Sequence, residues 1–323
     1  MHPSTVLFQD QIQPVLLPVC DHYAGSEKLM RKSIALQQEL DGIFDITLDC
    51  EDGAAAGNEV THAQLVASLV ASDSNVYQRL GVRVHDPLHP AFEQDLSLIL
   101  PACKDRLAYL VLPKINSHRQ LMAALEKVNQ YGMRTDGSQV PVHVLIETHG
   151  ALAEAGQIAA LPQVECLSFG LMDFVSAHFG AIPASAMRSP GQFMHPLVMR
   201  AKLDIAAACH RFGKVASHNV TTEIRDLSVV ADDARRAASE CGYTRMWSIH
   251  PDQIRPIIQA FQPDSNEIEE ATNILALARK HQWGPTTWQN HLNDRASYRY
   301  YWTILKRAQL GRIALPEAAQ DLL

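Results

Sequence analysis

Two rhythms of apolar and polar positions alternate along this chain. Short β-type runs occur at 14–19 (PVLLPV), 43–49 (IFDITLD), 81–85 (GVRVH), 108–114 (AYLVLPK), 142–147 (VHVLIE), 166–170 (CLSFG), 214–218 (KVASH) and 245–250 (RMWSIH). Between them lie stretches with the 3.6-residue period of an amphipathic helix, among them SEKLMRKSIALQQEL, SHRQLMAALEKVNQYG and HPLVMRAKLDIAAACHRFG. Ser26, Ser117 and Gly213 occupy cap positions for these helices. Repeated strand–helix units predict a parallel sheet, because each crossover helix returns the chain to the same edge. Eight such units predict a closed (β/α)8 TIM barrel rather than an open doubly wound sheet.

The rhythm breaks twice. The proline-bearing segment AIPASAMRSPGQFMHP (181–196) interrupts the sixth helix region and reads as a long loop on the strand-end face, a candidate lid. After FQPDSNE (261–267) the β-type pattern ceases and two helices are predicted, at about 267–281 and 295–309. We therefore divide the chain into a catalytic barrel, 1–262, and a C-terminal helical arm, 263–323. The total of 323 residues suits one barrel with an appendage.

Two of the strand patterns end on an acid. VPVHVLIETHGAL stops on Glu147, and VECLSFGLMD leads to Asp173. The C-terminal ends of barrel strands form the face where chemistry is done. Two carboxylates converging there make a hard, oxygen-rich site suited to Mg2+, or to Mn2+, with positions left for a substrate's own oxygens. Taken singly, each acid reads equally well as a cap on the helix that follows it. Three further strand ends add charge: LDCEDG brings Asp49, Glu51 and Asp52, GVRVHD brings Arg83, and VLPK brings Lys114. A buried arginine needs an anion, either a substrate carboxylate gripped by its planar fork or a structural partner such as Glu51 or Asp52.

Read in order, LDCEDG, VRVH, VLPK, VLIET, LSFGLMD and SIHPDQI resemble the citrate lyase β-subunit-like family, within the HpcH/HpaI aldolase and malyl-CoA lyase group. The resemblance runs from about residue 14 to 310. It implies a Mg2+-dependent (β/α)8 carbon–carbon lyase, assembled as a homotrimer or hexamer. Such an enzyme cleaves or joins a small 2-oxo acid and the enolate of an acetyl-type group. Carried over by position, it makes Glu147 and Asp173 the metal ligands and Arg83 the holder of substrate oxygens, catalytic as well as binding. Glu51 and Asp52 then become substrate-side acids that order Arg83 or the metal's waters. In NHLNDRASYRYYW (290–302), Asp294 falls where the family places an acid that enters a neighbouring subunit's site and moves the enolate proton, although Asp294 also reads as the N-cap of the following helix.

Departures from the family pattern bear on the substrate. After the acidic turn, members that bind coenzyme A carry a lysine and an Ala-Arg pair, but here the stretch is AAAGNEVTHAQ, whose one basic candidate is His62. The first strand's loop holds acidic Asp21, and Lys28 or Lys32 is left to meet a phosphate. A coenzyme A thioester substrate is therefore left open, beside an aldolase acting on free 2-oxo or hydroxy acids and a barrel that merely binds a carboxylate. His85 and His149 stand where the family has other residues; His149 is read as substrate-binding, and either histidine can shuttle a proton near neutral pH. His250 is read as orienting its loop and Cys50 as packing.

Bulk properties narrow the partners. A net charge of −7, with 47% apolar and 20% charged residues, gives no footprint for nucleic acid or an anionic membrane and leaves a small-molecule carboxylate as the expected partner. Six scattered cysteines without a CxxC pair suit reduced, buried thiols and a cytoplasmic location.

Overall fold

The computed structural model describes residues 2–9 and 11–323. Eight strands close into a parallel barrel in sequence order. They are Cys20–Ala24 (β1), Asp45–Asp49 (β2), Leu80–Arg83 (β3), Leu110–Leu112 (β4), Val142–Ile146 (β5), Val164–Phe169 (β6), Val215–His218 (β7) and Arg245–Ser248 (β8). The barrel shuts where β1 pairs with β8, Asp21 beside Trp247. The (β/α)8 expectation therefore holds, and seven of the eight strands lie where the pattern placed them.

β1 is the exception. The apolar run 14–19 only leads up to the strand, since Pro14 and Pro18 cannot donate to a ladder. The strand itself is the polar-looking CDHYA, buried throughout. Its polarity is matched across the barrel. Asp21 Oδ1 accepts hydrogen bonds from Thr47 (2.8 Å) and Tyr109 (2.9 Å), and Arg245 Nη2 lies 3.1 Å from Asp21 Oδ2. Arg245 Nη1 is 2.6 Å from Asp45 Oδ2.

Alternation along the strands separates two apolar sets. Ile46, Leu48, Val82, Leu110, Val144 and Leu167 join the large core shared with the surrounding helices. Tyr109, Val111 and Leu145 form a small separate cluster with Trp247. Gly81 is required beside that cluster: a Cβ there would lie 2.1 Å from the Tyr109 ring.

The segment 181–196 is not a loose lid. Two 3-10 turns, Ala184–Met187 and Gly191–Phe193, fold it against the barrel, with Ile182, Ala186 and Phe193 buried. The Gln192 amide is fully engaged: its Nε2 donates to Asp233 (2.9 Å), and its Oε1 accepts from Lys202 and Asn219 (2.9 Å each). Releasing the segment would leave those buried groups unpaired, which costs about 1–3 kcal/mol per group.

The barrel unit spans Val19–Phe261, and a second compact unit combines Met1–Pro18 with Gln262–Leu323. In this division the first 18 residues group with the C-terminal stretch and not with the barrel. The arm's helices are Ser265–Lys280 and Arg295–Leu310. The stretch between them, read as free of β structure, forms an antiparallel hairpin of Thr286–Trp288 (β9) and His291–Asn293 (β10). Its alternation is too short to register as a strand pattern. The unit's core packs Val6 and Leu7 with Ile268, Leu275, Tyr298 and Leu305.

Candidate active site

The acidic turn after β2 is built on Asp49. Its Oδ1 accepts the backbone N–H of Glu51 (3.0 Å) and its Oδ2 that of Gly53 (2.8 Å), which fixes the turn as an Asx-type structure. The same carboxylate takes the fork of Arg83 from the paired position on β3, Nε at 2.7 Å and Nη2 at 2.5 Å. Arg83 Nη1 lies 3.0 Å from Glu51 Oε2, and the guanidinium stands over the Tyr23 ring at 5.3 Å. Burial opposes the charge on Arg83, but these carboxylates outweigh it and hold the group protonated. The principal partner of Arg83 is therefore Asp49 together with Glu51, not Asp52. The bidentate edge of the fork is taken within the protein, by Asp49.

Lys114 links this cluster to Glu147. It follows β4 in the left-handed region, φ 51°, which costs a non-glycine residue about 1–2 kcal/mol. That geometry sends its ammonium to Glu51 and Asp52 and its backbone N–H to Glu147 Oε1 at 2.6 Å. Glu147 is 3% exposed. Burial first, and the Asp173 carboxylate second, push it up to about 8, against the Lys114 N–H and Arg83. Asp173 lies half-buried in the first turn of the helix Leu171–Ser176. The residue between β6 and that helix is Gly170, where a Cβ would sit 2.3 Å from Glu147 Oε2. A glycine is thus needed for the Glu147 carboxylate to occupy its place.

The Asp173 carboxylate raises the proton affinity of Glu147, and a cation between the two would relieve that repulsion, so this pair fits a hard divalent ion. Among the described residues no group of three or more His, Cys, Asp or Glu could hold a metal. The donor set is two carboxylates, and the other positions of an octahedral ion would belong to water and substrate.

The remaining expected residues fall elsewhere. His149 is exposed; its Nε2 donates to the Ala177 carbonyl at 3.0 Å and its ring packs against His178 at 4.5 Å, so it stands outside the Arg83–Lys114–Glu147 network. Asp294 belongs to the other compact unit and N-caps Arg295–Leu310: its Oδ1 accepts the Ala296 N–H at 2.9 Å and its own N–H donates to Ser297 at 3.1 Å. His250 caps the turn Pro251–Gln253. All six cysteines are buried and unbridged.

A cavity of about 300 Å3 opens beside the cluster, lined by Glu51, Asp52, Lys114, His62, His85 and His89 among others. His85 Nδ1 is 2.7 Å from Asp95 Oδ2. Asp95, 1% exposed, was not singled out in the sequence. Its signal was its place in the buried stripe Phe92, Asp95, Leu96, Ile99, where an acid on an apolar face needs a partner.

Among the described residues no helix is long and apolar enough to cross a membrane. Residues 24–251 match the family model for HpcH/HpaI aldolase/citrate lyase. The chain is 27% identical over 278 residues to human mitochondrial citramalyl-CoA lyase, covering 81% of this chain and 76% of that protein. It is 26% identical over 167 residues to the citrate lyase subunit beta-like protein of Mycobacterium tuberculosis, covering 52% of this chain and 59% of that one. A crystal structure of a citrate lyase from Burkholderia xenovorans LB400 is 57% identical, covers 100% of both chains and superposes with a TM-score of 0.86. The CitE protein of M. tuberculosis, solved with magnesium, acetoacetate and coenzyme A, shares the fold at 21% identity, a TM-score of 0.66 and coverage of 92% of this chain and 98% of that one. With a barrel of this topology and acids at these strand ends, the chain belongs to the HpcH/HpaI aldolase/citrate lyase family, a family of carbon–carbon lyases.

Proposed function

We propose that this chain is a Mg2+-dependent lyase that cleaves, or condenses, a hydroxy acid or its thioester into a small 2-oxo acid and an acetyl-type product formed through an enolate. The observation that carries this reading is the placement of Glu147: a buried carboxylate beside Asp173, held by the Lys114 N–H in a place kept clear by Gly170. Glu147 and Asp173 hold the ion, which supplies Lewis acidity to the oxygens of the 2-oxo acid. Arg83 presents its outer N–H groups to those oxygens, and Asp49 and Glu51 keep the guanidinium from turning away. Lys114 fixes Glu147 through its backbone N–H.

The free-acid form of the substrate is favoured by charge. The cavity beside the site carries Glu51, Asp52, Glu59 and Asp86 against the single lysine Lys114, a wall that repels the phosphates of a coenzyme A carrier. Asp294 of a neighbouring copy would complete the site, since its carboxylate is exposed and the cap uses only Oδ1.

The test is a thermal-shift and turnover screen of oxaloacetate, pyruvate, glyoxylate and coenzyme A, with and without Mg2+. Mg2+-dependent stabilisation by an oxo acid, lost in Glu147→Gln and Asp173→Asn, supports the reading. Unchanged Mg2+ affinity in both variants removes the metal site, and micromolar binding of coenzyme A overturns the free-acid form. If Asp294 acts across subunits, Asp294→Ala and Glu147→Gln homo-oligomers are inactive while mixed oligomers regain activity.

A further inference from the structure

Four tyrosines are buried: Tyr23, Tyr109, Tyr243 and Tyr298. A buried phenol ordinarily finds an acceptor for its hydroxyl. Three of them do so inside the protein: Tyr109 donates to Asp21 at 2.9 Å, Tyr243 to the Lys202 carbonyl at 3.1 Å and Tyr298 to the Gly284 carbonyl at 2.8 Å. Tyr23 is the exception. The residue is 8% exposed, yet its hydroxyl has no partner among the described residues. Nor is that oxygen sealed in, as the unpartnered indole N–H of the adjacent Trp247 is, so it meets solvent.

Tyr23 belongs to the same cluster as Arg83. On β1 it follows Asp21 by two residues and shares its inward face, one level nearer the strand ends. Its partner in register on β2 is Thr47, and Asp49 stands two residues further along that strand. The guanidinium that Asp49 grips lies over the Tyr23 ring at 5.3 Å, and Trp247 of β8 packs against the ring with centroids 4.7 Å apart. The acceptors nearby are already spent. Thr47 and Tyr109 both donate to Asp21 Oδ1, and Arg245 pairs with Oδ2. Asp49 commits both oxygens to Arg83 and to the N–H groups of its own turn.

From this geometry we infer that Tyr23 is a substrate-binding residue, whose hydroxyl donates a hydrogen bond to the carboxylate of the small 2-oxo acid held at Arg83. The inference rests on the lyase reading above. An anion drawn to the guanidinium arrives beside the one buried phenol that lacks an internal acceptor, and a hydrogen bond to a charged oxygen is stronger than one to a neutral acceptor. Arg83 supplies the charge and Tyr23 the direction. The ring has a part of its own, because its face supports the guanidinium by a cation–π contact while Asp49 and Glu51 hold the edge.

The surroundings keep that hydroxyl a donor. Burial first, and Asp21 second, raise its proton affinity well above the ordinary phenol range; Asp49 adds to this, while Arg83 and Arg245 oppose it. Tyr23 therefore stays protonated near neutral pH and moves no proton in the reaction. Its contribution is to binding and orientation.

The experiment titrates pyruvate, oxaloacetate and glyoxylate in turn into the full-length protein at saturating Mg2+, by calorimetry, with Mg2+ titrated alone as the control. Tyr23→Phe keeps the ring and loses only the hydroxyl. It should bind each oxo acid that wild type binds about tenfold more weakly, with Mg2+ affinity within about twofold of wild type. That ratio should stay constant from about pH 6 to 9, as a neutral donor requires. Tyr23→Leu removes the ring as well and should weaken the oxo acid by a further factor of about five. Oxo acid affinity of Tyr23→Phe within about twofold of wild type overturns the role of the hydroxyl and leaves the lyase reading standing. Loss of Mg2+ affinity together with oxo acid affinity in Tyr23→Phe makes Tyr23 structural and overturns it equally, and equal affinities in the two variants overturn the part given to the ring. If wild type binds none of the three acids with Mg2+, the inference and the lyase reading fall together.

Discussion

Two arginines of the barrel each sit between two carboxylates, and their settings differ. Arg245 bridges Asp21 and Asp45 inside the barrel with 0% exposure, stacked at 5.7 Å on Tyr109. Arg83 bridges Asp49 and Glu51 at the strand ends with 8% exposure, and Glu51 opens onto a cavity. Asp45 and Asp49 lie four residues apart on β2, so one strand face supplies an acid to both arginines. The inner trio has every partner inside the protein and serves packing. The outer trio has the same charges, with Glu51 in place of an aspartate, but its glutamate opens onto a cavity, and only there can a ligand be met. A buried arginine–carboxylate motif alone therefore does not mark a site; its position along the strand does.

The sharpest way to break this comparison is Arg245→Met. Two buried carboxylates lose their cation, and we expect a stability loss of about 3–5 kcal/mol by urea denaturation, largely restored when Asp21 and Asp45 are also replaced by apolar residues. Arg83→Met, partly relieved by water at the strand ends, should cost less stability but remove nearly all turnover. Equal stability losses for the two would erase the distinction.

Glu147→Gln should lower kcat by roughly 10²–10³-fold. Its stability effect has the opposite sign. Folded Glu147 is raised to about 8 from an ordinary 4.5, so its proton stabilises the folded form fully below about pH 4.5 and that contribution is lost as pH rises towards 8. Without divalent ions, wild type should lose on the order of 3 kcal/mol relative to Glu147→Gln between these limits, read from denaturation curves across pH. Added Mg2+ should shrink the difference.

Gly170→Ala places a methyl 2.3 Å from Glu147 Oε2 and should weaken Mg2+ binding about tenfold by calorimetry, with little loss of fold. The smallest effect belongs to Lys114→Gly. Relief of the left-handed backbone, about 1 kcal/mol, offsets the lost ion pairs, so stability should stay within about 1 kcal/mol of wild type while Glu51 becomes free to move.

β2 through β8 were legible because their outward residues face helices, and that core writes itself as apolar runs. Glu147, Asp173 and Arg83 were legible because they interrupt such runs at the end where chemistry occurs. β1 was hidden because its polar residues are balanced by Arg245, more than 200 positions away, and no local pattern carries that match. The Asp49–Arg83 fork was hidden for a related reason: three acids within four residues offered equal claims, and only the register of β2 against β3 sets Asp49 beside Arg83. The 181–196 segment misled because prolines mark a chain that cannot be helix or sheet, which says nothing of how firmly Gln192 pins it.

The grouping of residues 1–18 with 262–323 bears on how the chain is made. During synthesis the barrel's last residue, Phe261, emerges while the arm behind it is still within the ribosome, so the barrel can close while Val6 and Leu7 still lack the helices that bury them. The leading segment must wait through some 240 residues of translation, at about 5–20 residues per second, for its partner. A chain cut after Phe261 would carry this greasy tether permanently, and deleting residues 1–18 along with the arm is the way to obtain the barrel as a well-behaved fragment.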